Sequence, residues 1–63
     1  MPQYSAEDKL REVERELGYR KRLYPRWVKE GKMKQEQADA NIAIMEAIAE
    51  DYAREMAQLK MQF

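Results

Sequence analysis

Apolar residues in the first half of the chain fall at Leu10, Val13, Leu17, Tyr24, Trp27 and Val28, with Arg20 filling the one missing step. Steps of three and four are the period of a helix with one buried side. Upstream, "SAEDKL" predicts the helix start. Ser5 is a good N-cap, Asp8 three residues on imitates a capping box, and Glu7 and Asp8 suit the positive helix end. Tyr4, just before the cap, is placed to staple onto the first turns. Residues 1–4 form a loose lead-in.

Pro25 interrupts this pattern. Inside a helix it removes a hydrogen bond and crowds the preceding turn, at about 3 kcal/mol, and it biases Tyr24 away from helical geometry. The period nevertheless carries on to Trp27 and Val28. Two readings follow: a helix over about 5–30 kinked near Pro25, or a break at Tyr24 followed by a short turn of helix. Gly31 is the C-terminal stop in both.

The second half is more regular. Ala38, Ile42, Met45, Ala49, Tyr52, Met56, Leu59 and Phe63 step by four and three throughout, which is a heptad seam. Gln35 opens this helix, which extends over 35–61, and Lys32, Met33 and Lys34 form the connection. A connection this short makes antiparallel neighbours. The expected fold is therefore all-α, a single helical-hairpin domain over 1–63.

A hairpin leaves apolar surface over. Nine of the twelve residues in "ADANIAIMEAIA" (38–49) are Ala, Ile or Met, and they surround the helix. Ile42, Met45 and Ala49 lie on one side; Ala40, Ile44, Ala47 and Ile48 lie on another. A helix apolar around most of its girth requires more than one neighbour. The simplest closure is a homodimer forming a four-helix bundle, with Ile42, Ile44, Met45, Ile48, Ala49 and Tyr52 as the self-association residues. A monomer with an Ala-rich outer face and a hetero-complex subunit are the alternatives.

Composition narrows the chemistry. With 63 residues and no Cys or His, disulfides and the usual zinc sites are excluded, and oligomerisation is the remaining way to reinforce a small core. Nucleophile–base pairs built on His or Cys are excluded too, so no enzyme activity, cofactor, metal or small-molecule substrate is expected. Glu12 with Glu16, and Glu46 with Glu50, are spaced for one helix face but lack the histidines of a di-metal bundle. They read as solvated faces. No apolar run is long enough to span a membrane, and a cytoplasmic location is the expectation.

Charge is balanced overall, with twelve cations and twelve anions, but "GYRKRLYPRWVKEGKMK" (18–34) holds seven of the cations and one anion. Three readings compete. In the first, an antiparallel register sets Lys29 near Glu36, Arg26 near Asp39 and Arg20 near Met45 and Glu46, while Trp27 caps Ala38. In the second, the segment docks an acidic protein. In the third, it binds nucleic acid through phosphate contacts and aromatic stacking. The candidate partner-binding residues are Tyr19, Arg20, Arg22, Arg26, Trp27, Lys29 and Lys32.

Residues 17–52 resemble the small uncharacterised helical proteins encoded by bacteriophages and prophages. Tyr19, Arg20, Arg22, Tyr24, Pro25, Val28, Gly31, Met33, Ala38 and the run "IAIMEAI" carry the resemblance. It implies a phage accessory protein that binds a host or phage macromolecule and modulates host machinery or defence. No site residues transfer with it.

Overall fold

The computed structural model describes residues 3–61. Two helices, α1 (Ala6–Lys29) and α2 (Gln35–Met61), pack against each other as a hairpin. Among the described residues there is no strand. The direction is antiparallel: Lys9 near the start of α1 lies over the ring of Tyr52 near the end of α2. The hairpin is a rod of 49 × 23 × 17 Å. Phe63, the last expected seam position, and the first two residues of the lead-in lie outside the described residues.

Both ends of α1 are built by local chemistry. The Asp8 amide donates to Ser5 Oγ at 3.1 Å and the Ser5 amide to Asp8 Oδ2 at 3.4 Å. Two otherwise unpartnered donors are thus satisfied reciprocally, a complete capping box. At the other end Gly31 adopts φ +78. Its amide donates to the Val28 carbonyl at 3.1 Å, and the Lys32 amide donates to the Trp27 carbonyl at 2.8 Å. This bond pair is the Schellman stop, which requires a left-handed residue at that position.

Pro25 does not break the chain. Helix α1 is continuous through it. The hydrogen bond that Pro25 cannot donate is offset by burial on either side. Tyr24 is only 8 % exposed, and Trp27 and Val28 are half-buried. Pro25 itself points away from α2 and is exposed.

The core is thin and sits near the turn. Ala38 is the most enclosed residue at 2 % exposure. Among the described residues Tyr24, at 8 %, is the one large side chain that is buried. Further along, the seam residues Leu10, Val13, Leu17, Ile42, Met45, Ala49, Tyr52 and Met56 are half-buried. A second helix covers only one flank of each of them. Tyr4 does not close the start of α1 as a staple; it remains exposed.

The two glycines have opposite expected effects. Gly31→Ala places a side chain at positive φ and costs about 1 kcal/mol. Gly18 lies within α1 at ordinary helical geometry, and a Cβ there meets nothing within 4 Å. Gly18→Ala therefore stabilises by up to about 1 kcal/mol. Urea denaturation of the two variants beside the parent chain checks both signs.

Candidate functional site

Three surfaces are distinct. The first is the polar layer in the seam. Arg20 takes an inward position in an otherwise apolar row, and the fold uses its guanidinium. Nη1 donates to the Asn41 carbonyl at 3.1 Å, across the hairpin. Nε donates to Glu16 Oε1 at 3.0 Å, one turn back. The guanidinium carbon also stands 5.9 Å from the centroid of the Tyr24 ring, whose own neighbour is Trp27 at 5.6 Å between centroids. The Arg20 side chain is 22 % exposed. Arg20, Tyr24 and Trp27 thus form one stack along α1, at spacings of four and three, facing α2.

This layer fixes where the Arg20 head group lies. Arg20 was expected beside Met45 and Glu46; its guanidinium reaches the Asn41 carbonyl, on the loop side of them. Glu46 is met by Lys21 at 3.5 Å. Neither a Lys29–Glu36 nor an Arg26–Asp39 pair forms; Arg26 turns to Glu30 at 3.4 Å, and Asp39 accepts from Gln35 at 2.8 Å. Among the described residues, Lys21–Glu46 is the only ion pair that crosses between helices. Local pairing wins because a partner three or four residues away is already held in place by the helix, so less side-chain freedom is lost.

The second surface is apolar. Ile42, Met45, Ala49 and Tyr52 are half-buried on the side of α2 that faces α1. Ile44 is not covered: it is 59 % exposed, and its helical neighbours Ala40, Ala43 and Ala47 are exposed with it. Ile48 lies between the two sets. It lines an open groove of about 610 Å³ with Tyr4, Val13, Tyr52 and the stems of Lys9 and Arg11. The six predicted self-association residues therefore divide. Four serve the hairpin first, Ile44 serves nothing within it, and Ile48 connects the seam to the open face.

The third surface is the outside of α1. Positions 11, 15, 18, 22, 25 and 29 alternate steps of four and three on the side away from α2. They hold Arg11, Arg15, Gly18, Arg22, Pro25 and Lys29, with Arg26 alongside. All are exposed. Among the described residues no ion pair involves Arg22 or Lys29, while Arg11, Arg15 and Arg26 meet only carboxylates on their own helix. Tyr19, 46 % exposed, stands at the edge of this face in a shallow hollow of about 330 Å³ shared with Glu12, Arg15, Glu16 and Arg22. Lys32, in the turn, pairs with Glu30 at 3.0 Å.

The seven residues proposed from sequence as partner contacts thus do not share a face. Arg20 and Trp27 turn toward α2; Tyr19, Arg22, Arg26 and Lys29 remain outside. Sequence reasoning missed Arg11 and Arg15, which continue the outer row. The signal was the same alternating spacing, read on the polar side of the helix instead of the apolar side.

Among the described residues no cluster of acidic side chains could hold a metal ion, and no helix is long and apolar enough to cross a membrane. Every buried side-chain nitrogen or oxygen among them has a hydrogen-bond partner.

The inward and outward arginines should differ in stability effect. Arg20→Ala removes a cross-hairpin hydrogen bond to a carbonyl and should cost about 1.5–3 kcal/mol. Arg22→Ala should fall within about 0.5 kcal/mol of the parent, and thermal melts of both variants check the contrast. No family model, curated protein or solved structure matches this chain.

Proposed function

We propose that the protein is a non-catalytic interaction module of the phage accessory type. It pairs with a second copy through α2 to form a four-helix bundle, and presents the outside of α1 to a macromolecular partner in the bacterial cytoplasm.

The observation that supports pairing is surface area. The hairpin exposes 5407 Å². A folded monomer of this mass typically exposes about 4,300 Å². The excess, roughly 1,100 Å², is of the size that one subunit loses in a standard interface, about 800 Å². The apolar surface open to a second copy is the Ile44 face with the exposed Ala40, Ala43 and Ala47, and the adjoining groove at Ile48, Val13 and Tyr52. A second copy supplies a like surface by symmetry, because a two-fold interface sets the same patch against itself. The non-catalytic reading rests on the residues present: with no His and no Cys in the chain, nucleophile–base pairs of the usual kinds cannot be assembled.

Ile44→Asp tests the pairing. In a lone hairpin this exposed position tolerates the change within about 0.5 kcal/mol. In the proposed dimer it buries a charge without a partner and should cost at least about 2 kcal/mol. Sedimentation equilibrium of the parent should give twice the chain mass, and its melting temperature should rise with protein concentration. A parent of single-chain mass, with a melting temperature independent of concentration and an Ile44→Asp variant of equal stability, would refute self-association.

A further inference from the structure

We infer that the outside of α1 is a docking ridge for double-stranded DNA, held by the phosphate backbone and indifferent to base sequence. The inference rests on the reading of α1 as a partner-binding surface and gives the partner a chemistry.

The ridge carries Arg11, Arg15, Arg22, Arg26 and Lys29 over roughly 27 Å of helix. Its cations have little to do in the fold. Their ion pairs join exposed groups on the same helix, a kind of pair that contributes little and exchanges readily. Arg20 and Lys21, by contrast, are committed to α2. The sequence has therefore divided its basic segment into an inward pair that serves the hairpin and an outward row that does not.

Three features favour a nucleic-acid duplex over an acidic protein. First, Pro25 is the one apolar side chain in the row at 11, 15, 18, 22, 25 and 29, too small a patch to form a desolvated centre. A protein interface needs a desolvated apolar or aromatic centre, and exposed carboxylate pairs alone hold a protein weakly. A polyanion is different: each neutralised phosphate releases condensed counterions, which is a driving force independent of burial. Second, the surface is a convex helix. A helix about 10–12 Å across matches a B-DNA major groove about 12 Å wide, whereas single strands are tracked by grooves with several stacking aromatics. Here Tyr19 is the exposed aromatic beside the middle of the row and Tyr4 stands near its Arg11 end, while Tyr24 is buried and Trp27 half-buried. Third, Gly18 lies in the middle of the ridge with open space around it. Packing gives no reason for a glycine there, and helix propensity argues against one. It does allow a phosphate to approach the helix backbone between Arg15 and Arg22.

The test is fluorescence anisotropy of the full chain with a labelled duplex of about 20 base pairs, the matching single strand, and poly-glutamate. If four or five cations contact phosphate, affinity for the duplex should fall roughly 10- to 20-fold between about 50 and 100 mM monovalent salt. The same affinity should hold for a duplex of scrambled sequence. Arg22→Gln with Arg26→Gln should leave the melting temperature near the parent value and reduce the salt slope by about two. Gly18→Gln should raise the melting temperature and weaken duplex binding several-fold. Duplex binding that is absent, or unmoved by the arginine pair, would overturn the inference. So would tighter binding to the single strand that is lost on Tyr19→Ala. Capture of poly-glutamate instead of duplex, through the same arginines, would overturn the DNA assignment and leave the partner-binding reading of α1 standing. Binding to none of the three probes would overturn both.

Discussion

Two helices give each other one neighbour, and each neighbour can cover only one flank. That constraint governs the whole hairpin. Among the described residues only Ala6, Tyr24 and Ala38 are buried, none of them fully, and Tyr24 is the one large side chain of the three. Everything else in the seam is shared between the partner helix and solvent. Small cores of this size supply only a few kcal/mol, so local devices matter in proportion. The capping box at Ser5, the Schellman stop at Gly31 and the paired charges along α1 fix where helices begin, end and turn. They contribute little to how firmly one helix holds the other.

Register is consequently set by a few contacts of definite shape. Ala38 is the most enclosed residue, and a larger side chain there would have no free space to occupy. Arg20 adds direction. Its guanidinium must meet the Asn41 carbonyl, Glu16 and the Tyr24 ring at once, and sliding α2 by a turn would lose the first of these. A polar residue in an apolar row typically lowers stability and raises specificity of pairing. Arg20 fits that description without leaving a buried group unsatisfied.

Much of this was legible in the sequence. Ser5, Asp8 and Gly31 announce their roles because caps depend on residues within a turn of one another. The two helix spans followed from periodicity for the same reason; at Pro25 the stripe stays in phase through Trp27 and Val28, but a kink and a break were both open, and the helix is continuous there. Non-local facts were less legible. The expected pairing of Arg26 with Asp39 and Lys29 with Glu36 treated opposite charges as if proximity across the turn were enough. It neglected the nearer carboxylate at Glu30, which competes for Arg26 at smaller entropic cost. The Arg20 bond to the Asn41 carbonyl was not foreseen, because a heptad seam fixes which side a helix presents and says little about where a long side chain ends. The split of the basic segment into inward and outward residues required knowing where the seam runs relative to Arg20. Once that row is placed, the positions of Arg22, Arg26 and Lys29 follow from helical geometry alone.

A net charge of zero conceals this division. In α1 the cations between Gly18 and Lys29 face outward, except for Arg20 and Lys21. In α2 the carboxylates of Asp39, Glu46 and Glu50 recur on an exposed side of their own. The apolar excess lies between them, at Ile44 and along the groove that ends at Tyr4. These surfaces meet at Arg11, which also lines the groove, and are otherwise separate. Covering the Ile44 face with another helix pair would leave the α1 row exposed, since that row points away from α2. A polyanion on the α1 row would in turn bury no apolar side chain of α2. Association through apolar area should therefore persist in salt, where screening weakens only the charged surface. In the proposed arrangement, self-association and partner binding would thus be governed by different forces on largely separate faces.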